Sequence, residues 1–525
     1  MKNIIAFIVS FACFVAFAEQ PSAKVVLKEV GQARFDLSQC SWTANGKPVS
    51  IPHSFTYLTP EGKVTNTVNN SFCTYKTTLP DIFADASQER LLQLDGVGKF
   101  AKVYLNGTLL GQHDYGFLPK RFNLTPHLQP SNNVLEVVVY QYGDQFDHKG
   151  GVIPFSGDFH VFHGLYRKAW IISKGKDEQL PAPIKKPALT YKDGFFWDNF
   201  GRKVFLKGVN YHQYYGYDWT YDEVKERRDL MLIKAMGANA IRTAHYPKSP
   251  RFYEMCDELG IYVITEVPLV NNINENDTTR KHYLGYVETL VKEYGQYPCI
   301  IAWGLHNELK DNHKDLIAQA NDLVHRLDPY RPTYTAECGG PKDFSTVSDI
   351  LGLNLYWGWY DISSLPFAQY ASTRAMDFKK DGTFMLTEFG CSGNINQHST
   401  DQITEEQRKM MTPVKEIISS TTNVYLRPNN PNGNQFHPVD YQAYIHRMVW
   451  KDIDKSVYGN DLEKTPFEVW FGARCAGVFI WQMFDTPTHQ RNEGGLKNIN
   501  IKGMMTIDRK PKPAYEFYKR EWNGK

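Results

Sequence analysis

The sequence has no Cys-x-x-Cys pair, no internal repeat and no low-complexity tract. Each absence removes a class of protein. The 8 Cys are widely spread, and one of them, Cys13, lies in an apolar N-terminal segment, so neither a zinc ribbon nor a disulfide scaffold is indicated. Only Cys40 and Cys73 suggest a pair, in an oxidising compartment. With 59 basic and 57 acidic residues the net charge is +2, which gives no footprint for nucleic acid or an anionic membrane surface. Past the N-terminus no apolar run reaches transmembrane length. What remains is ordinary for a folded chain: 42% hydrophobic and 22% charged residues. At 525 residues the chain is long enough for a large barrel and one further domain. Aromatic content is high, with 11 Trp and 31 Tyr, which suits both a filled core and a ring-stacking sugar site.

Residues 1–18 read as a signal peptide: Lys2, an apolar stretch over Ile4–Ala16, and the small-x-small site Ala16-Phe17-Ala18. Cleavage after Ala18 would deliver a secreted or periplasmic protein with no membrane segment. A lipoprotein reading through Cys13 meets Ser10 where an apolar residue belongs.

Residues 24–174 read as an all-β sandwich. Short alternating runs such as Glu89–Leu94, Ala101–Leu105 and Val134–Tyr140 are separated by turn pairs such as Asn106-Gly107. A Pro- and Lys-bearing linker spans 175–188. From 189 to 525 short apolar runs alternate with amphipathic stretches, the pattern of a parallel sheet closed into a (β/α)₈ barrel. Eight strands are expected: Val204–Tyr211, Ala238–Ala244, Tyr262–Val267, Cys299–Leu305, Arg331–Ala336, Ile350–Leu355, Thr383–Thr387 and Gly477–Gln482. Helices are expected over Tyr221–Met236, Pro250–Leu259, Tyr283–Tyr294 and Lys314–Leu327. The interval 391–475 is too long for one βα unit, and its polar stretch 421–437 reads as a surface loop near the active face.

Two of the strands end in a carboxylate. The run Cys299–Leu305 leads to His306-Asn307-Glu308, and Thr383–Thr387 leads to Glu388. Barrel chemistry sits at the C-terminal strand ends, and burying a carboxylate there without purpose is costly. Glycoside cleavage requires two such groups, one to protonate the leaving oxygen and one to attack the anomeric carbon. Glu308 is assigned as acid/base and Glu388 as nucleophile. Asn307 would bond the sugar 2-hydroxyl, Tyr356 would donate to Glu388, and Arg242 would hold a carboxylate charged. His212, His245, Trp357 and Trp481 stand at strand ends where they would line a sugar site or pack. A metal site from His212, His245 and His306 matches no recognised ligand spacing. No metal and no cofactor are expected.

At these positions the chain resembles glycoside hydrolase family 2, which includes β-galactosidases and β-glucuronidases. The likeness is carried by Leu206-Lys207-Gly208-Val209-Asn210-Tyr211-His212, Gly237–Pro247, Trp303–Glu308, Thr387-Glu388-Phe389-Gly390 and Trp481–Asp485. It extends to Val103–Gly107 and Gly164–Arg167 in the N-terminal domain. The resemblance implies a jelly-roll sandwich followed by a TIM barrel, and a retaining exo-β-glycosidase acting on an oligosaccharide or polysaccharide. It also implies that Asp158 reaches from the sandwich to the terminal sugar, with His212 and Trp481 in the same subsite. The immunoglobulin-like domain of most members has no counterpart in 175–188. Glu266-Val267-Pro268 replaces the Glu-x-His of metal-binding β-galactosidases. Pro247, Glu266–Val270 and Arg491–Gly495 resemble the β-galactosidase branch, which the balance favours. Asn500-Ile501-Lys502-Gly503 resembles the element that holds the sugar carboxylate in β-glucuronidases, so a β-glucuronidase or β-galacturonidase is the alternative. A non-catalytic glycan-binding protein would lack one of the two carboxylates, and both are present.

Overall fold

The computed structural model describes residues 26–27, 33–59, 61, 64–67, 71–84, 88–141, 159, 163–175, 179–378, 382–418, 420–433 and 435–524. The expected signal peptide, Cys13 and Asp158 lie outside the described residues. No described helix is long and apolar enough to cross a membrane.

The N-terminal part is a sandwich of two antiparallel sheets. One has five strands, in the order Val26–Leu27, Ala33–Asp36, Ala169–Lys174, Glu89–Leu94 and Lys120–Asn123; the other has six. Alternation fills the space between them. In Phe72–Thr78 the residues Cys73, Tyr75 and Thr77 point inward and their neighbours outward. Asn106-Gly107 adopts φ of +52° and +81°, the two left-handed conformations of a tight hairpin turn, and sets Leu105 opposite Thr108. Cys40 and Cys73 are separate thiols, contrary to the pairing entertained from sequence.

The 175–188 segment is not a free tether. The Lys185 N–H donates to Gly295 O at 2.9 Å and the Ala188 N–H to Pro298 O at 2.7 Å, tying it to the second domain. A three-stranded sheet follows, Thr190–Lys192, Phe195–Trp197 and Lys203–Val204. Its Phe196 packs into the barrel interior with Leu206, Ile264, Ile301, Met385 and Phe479, closing the end opposite the active face.

Eight parallel strands close the barrel: β1 (Leu206–Asn210), β2 (Ala240–Arg242), β3 (Tyr262–Glu266), β4 (Ile300–Asn307), β5 (Thr333–Glu337), β6 (Ile350–Asn354), β7 (Phe384–Phe389) and β8 (Cys475–Ile480). The strand expected to start at Val204 starts at Leu206, because Lys203–Val204 belongs to the closing sheet. The first five helices are α1 (Glu223–Ala235), α2 (Pro250–Leu259), α3 (Asp277–Tyr294), α4 (Lys314–Leu327) and α5 (Phe367–Phe378). Local chemistry fixes α2. The Ser249 hydroxyl accepts the Phe252 N–H, Pro250 opens the first turn, and Gly260 at φ +65° ends it.

The interval 391–475 differs from the reading of 421–437 as loop. Thr421–Pro428 is a strand paired with Met411–Ile418 in a two-stranded ribbon, and helix Val439–Tyr458 follows. The ribbon strand buries only Tyr425, Leu426 and Pro428 of eight residues. Its sequence therefore carries no alternating apolar signal.

The two domains share one core. Phe117, Leu118, Phe159 and Tyr166 of the sandwich pack with barrel residues such as Trp219 and Tyr246. Arg167, 1% exposed, donates to Phe117 O at 2.6 Å, Pro247 O at 2.7 Å and Gln213 Oε1 at 3.0 Å. Arg121 grips both oxygens of Glu293 at 2.7 and 2.9 Å.

Candidate active site

The barrel register brings the two carboxylates to one mouth. Glu308 follows the last residue of β4, and its N–H donates to Ala336 O on β5 at 2.7 Å. It holds φ at +53°, a left-handed conformation that costs a side chain about 1–2 kcal/mol. The turn aims it off the strand and over the mouth. Glu388 lies on β7 with its Cα opposite Asn354 of β6. Asn354 ties Glu308 to the strand that carries Glu388. Its amide donates to Glu308 Oε1 at 2.7 Å and to Asn307 Oδ1 at 3.2 Å, while its own Oδ1 accepts the Thr387 hydroxyl at 2.7 Å. Both carboxylates line a single cavity of about 400 Å³, with Asn307, Asn354, Tyr356, His245 and Trp481 on its walls.

Glu388 is buried. Its Oε1 accepts from Arg242 Nη1 at 2.8 Å and its Oε2 from the Tyr356 hydroxyl at 2.6 Å, with His245 Nε2 at 3.8 Å. Burial raises its carboxyl above the ordinary value and the nearby Glu308 charge adds to that, while Arg242, His245 and Tyr356 pull the other way. A carboxylate so held is ionisable and desolvated, which suits a nucleophile.

Beneath it lies an anchored network. Arg242 is fully buried and donates to Glu266 Oε2 at 3.1 Å, Asn210 Oδ1 at 3.0 Å and Asn307 Oδ1 at 2.9 Å, besides Glu388. Glu266 also accepts the Tyr334 hydroxyl at 2.9 Å and meets His245 Nδ1 at 2.7 Å. Burial opposes its charge, yet Arg242, His245 and Tyr334 hold the Glu266 carboxyl below its ordinary value. His245 thus sets Nδ1 against Glu266 and turns Nε2 toward Glu388. His245 in turn stacks on Trp481, with ring centroids 5.1 Å apart and planes at 17°.

Several expected substrate contacts lie elsewhere. Arg242 is a support under the site and not part of the cavity wall, because its donors are taken by Glu266, Glu388, Asn210 and Asn307. His212 stands behind Trp481, edge-on at 5.4 Å, with Nδ1 on the Tyr246 hydroxyl at 3.3 Å. Trp357 is off the wall too; its indole N–H donates to Leu365 O at 3.1 Å and its ring packs on Phe367. Lys502 is 1% exposed and paired with Glu493 at 3.0 Å, and Asn500 Oδ1 accepts the Lys502 N–H. Neither reaches the cavity wall. The cation on that wall beside them is Arg491. It donates to Glu493 Oε1 at 2.9 Å and to the Tyr360 hydroxyl at 2.7 Å.

Glu266, Asn354 and Arg491 are among the residues to which the sequence alone assigns no role. Glu266 and Asn354 each end a strand, the same signal that singled out Glu308 and Glu388. Arg491 has no such signal, since it comes from the ribbon strand Thr486–Glu493 beyond β8. Among the described residues, no group of three His, Cys, Asp or Glu is placed to hold a metal ion.

Comparison with known proteins agrees with this architecture. Residues 189–402 match the TIM barrel domain of the glycosyl hydrolases family 2, and residues 51–158 match the galactose-binding domain-like domain of glycosyl hydrolase 2. A β-glucuronidase of Bacteroides fragilis is 24% identical, over 82% of this chain and 72% of that protein. A β-galactosidase of Thermoanaerobacter pseudethanolicus is 25% identical, over 50% of this chain and 48% of that protein. The crystal structure of a β-galacturonidase from Eisenbergiella tayi, bound to galacturonate, shares the fold. Its TM-score is 0.69 at 18% identity, covering 94% of this chain and 98% of that one.

Proposed function

The chain belongs to glycoside hydrolase family 2, and from that premise we propose that it is a retaining exo-β-glycosidase taking a terminal uronic acid, glucuronic or galacturonic. The observation that carries the chemistry is the pair Glu308 and Glu388 on one cavity, with Asn354 bonded to Glu308 and set opposite Glu388 on the neighbouring strand. Glu308 gives its proton to the glycosidic oxygen as a Glu388 oxygen attacks the anomeric carbon. The leaving alcohol departs and a glycosyl ester forms on Glu388. Glu308, now ionised, takes a proton from water as that water attacks the same carbon, and the ester bond breaks to return free Glu388. Two inversions at one carbon retain its configuration.

The uronide preference is supported by Arg491, a guanidinium on the cavity wall, held there through Nη1 by Glu493 and Tyr360, whose charge can meet a carboxylate. It is supported also by the β-glucuronidase relative, matched over most of this chain. The sequence-based preference for a β-galactosidase is the second reading, favoured by the T. pseudethanolicus relative over half of the chain. Export through residues 1–18 belongs to the same proposal; a mature protein beginning at Glu19 would agree with it.

Aryl β-glucuronide, β-galacturonide and β-galactoside decide between the readings. A uronide should give the highest kcat/KM, and Arg491→Ala should lower it roughly tenfold to a hundredfold while changing galactoside turnover little, since a hydrogen-bonded charge contributes about 1.5–3 kcal/mol. A galactoside preference, or an equal loss on both sugars, counts against the uronide reading.

A further inference from the structure

One wall of the cavity is not used by the bond-breaking chemistry. Glu308 protonates the glycosidic oxygen, so the departing group leaves on the side of Glu308, away from Glu388. That side is formed by Cys338 and Gly339, which follow β5, and by α5, which presents Tyr370 and Arg374 one turn apart. Glu308 is tied to it by its bond to Ala336 and by contact with the Cys338 thiol.

The groups there are polar and held in place. Arg374 donates through Nη2 to the Gly339 carbonyl, and its Nη1 lies 3.6 Å from Asp377. Tyr370 faces Asp361, whose Oδ2 accepts the Tyr356 N–H at 3.0 Å. On the same cavity wall Tyr360 is 37% exposed, its ring edge-on to Tyr356 with centroids 5.1 Å apart and its hydroxyl held by Arg491 at 2.7 Å. A partly exposed ring on a wall that also carries a guanidinium and a carboxylate suits a hydroxyl-rich ring. The ring offers a C–H face to stack, and its hydroxyls both donate and accept. A flat aromatic alcohol would desolvate Arg374 and Asp361 and give them nothing in return.

We propose that this wall is a leaving-group subsite for a second sugar residue, with Arg374 and Asp361 as its hydrogen-bonding groups, so that the substrate is an oligosaccharide. The inference rests on the glycosidase reading above and adds the class of leaving group to it.

Kinetics on two substrates with the same terminal sugar test it: a 4-nitrophenyl β-glycoside and a β-linked disaccharide. Arg374→Ala should lower kcat/KM on the disaccharide about tenfold or more, with a change on the aryl glycoside within about threefold, the difference being that of one charged hydrogen bond. Arg374→Lys should fall between. The aryl activity reports that the variant is folded. An equal loss on both substrates, or no loss on the disaccharide, overturns the subsite and leaves the glycosidase reading standing. A wild-type chain that cleaves neither substrate overturns both.

Discussion

At the scale of single residues, opposing influences meet on Glu388. Burial pushes its proton on, and Arg242 and the Tyr356 hydroxyl pull it off. Tyr356 donates at 2.6 Å to the charged form, so losing that donor must raise the carboxyl. Tyr356→Phe is therefore expected to move the acidic limb of the kcat/KM profile upward by about one pH unit, as one charged hydrogen bond would. A pH–rate profile checks this, and an unmoved limb would mean that Tyr356 does not tune Glu388. The two carboxylates are legible in the sequence because each ends an unbroken apolar run. Asn354, which ties Glu308 to β7, is not, because its part depends on the register between β6 and β7 and on the left-handed turn at Glu308.

At the scale of elements, the ribbon formed by Thr486–Glu493 and Leu496–Asn500 brings a buried charge cluster to the rim. Glu493 is fully buried and bound by Lys502, Arg491 and the Ser392 hydroxyl. Burial opposes its charge, but the two cations prevail and its carboxyl falls to about 2. A depressed folded pKa adds stability that is present above the unfolded value of about 4.3 and is lost as pH falls toward 2. Glu493→Gln should flatten that part of the acid stability curve. It should also cost about 3–5 kcal/mol at neutral pH, because Lys502 is left buried without its anion. Urea denaturation at pH 7 and pH 3 measures both effects; an unchanged midpoint at pH 7 would refute the cluster's role. The Asn-x-Lys pattern at 500–502 reads as a sugar contact in the sequence. Glu493 takes the lysine inward, and Arg491 from the partner strand is left at the cavity. Helix α2 is legible because Ser249, Pro250 and Gly260 mark its two ends, whereas the solvent-facing ribbon over Met411–Pro428 buries too little to leave a pattern.

At the scale of the whole molecule, the sandwich supplies part of the wall behind the active site. Phe159 packs 5.3 Å from His212, 5.9 Å from His245 and 5.4 Å from Tyr246. Phe117 stacks on Tyr246 at 4.6 Å. Arg167 fastens this contact through buried carbonyls of both domains. Arg167→Ala should leave Pro247 O and Gln213 Oε1 buried without their donor, costing about 3 kcal/mol or more. A fall in melting temperature together with reduced kcat/KM is expected, because the rings behind His245 and Trp481 lose their backing. A variant with wild-type stability and activity would show that the domains do not depend on one another. Two domains of these classes are visible in the sequence as a change of hydrophobic period. Their shared core is not, because it is made by isolated aromatic residues far apart in the chain.

The central claim is that Glu388 carries the sugar through a covalent ester. It is tested most directly by incubating the protein with a 2-deoxy-2-fluoro β-glycosyl fluoride of the sugar it cleaves, followed by peptide mass analysis. The account predicts one sugar mass on the peptide containing Glu388. An adduct on another residue, or turnover of the parent glycoside with inverted configuration and no adduct at all, would contradict it.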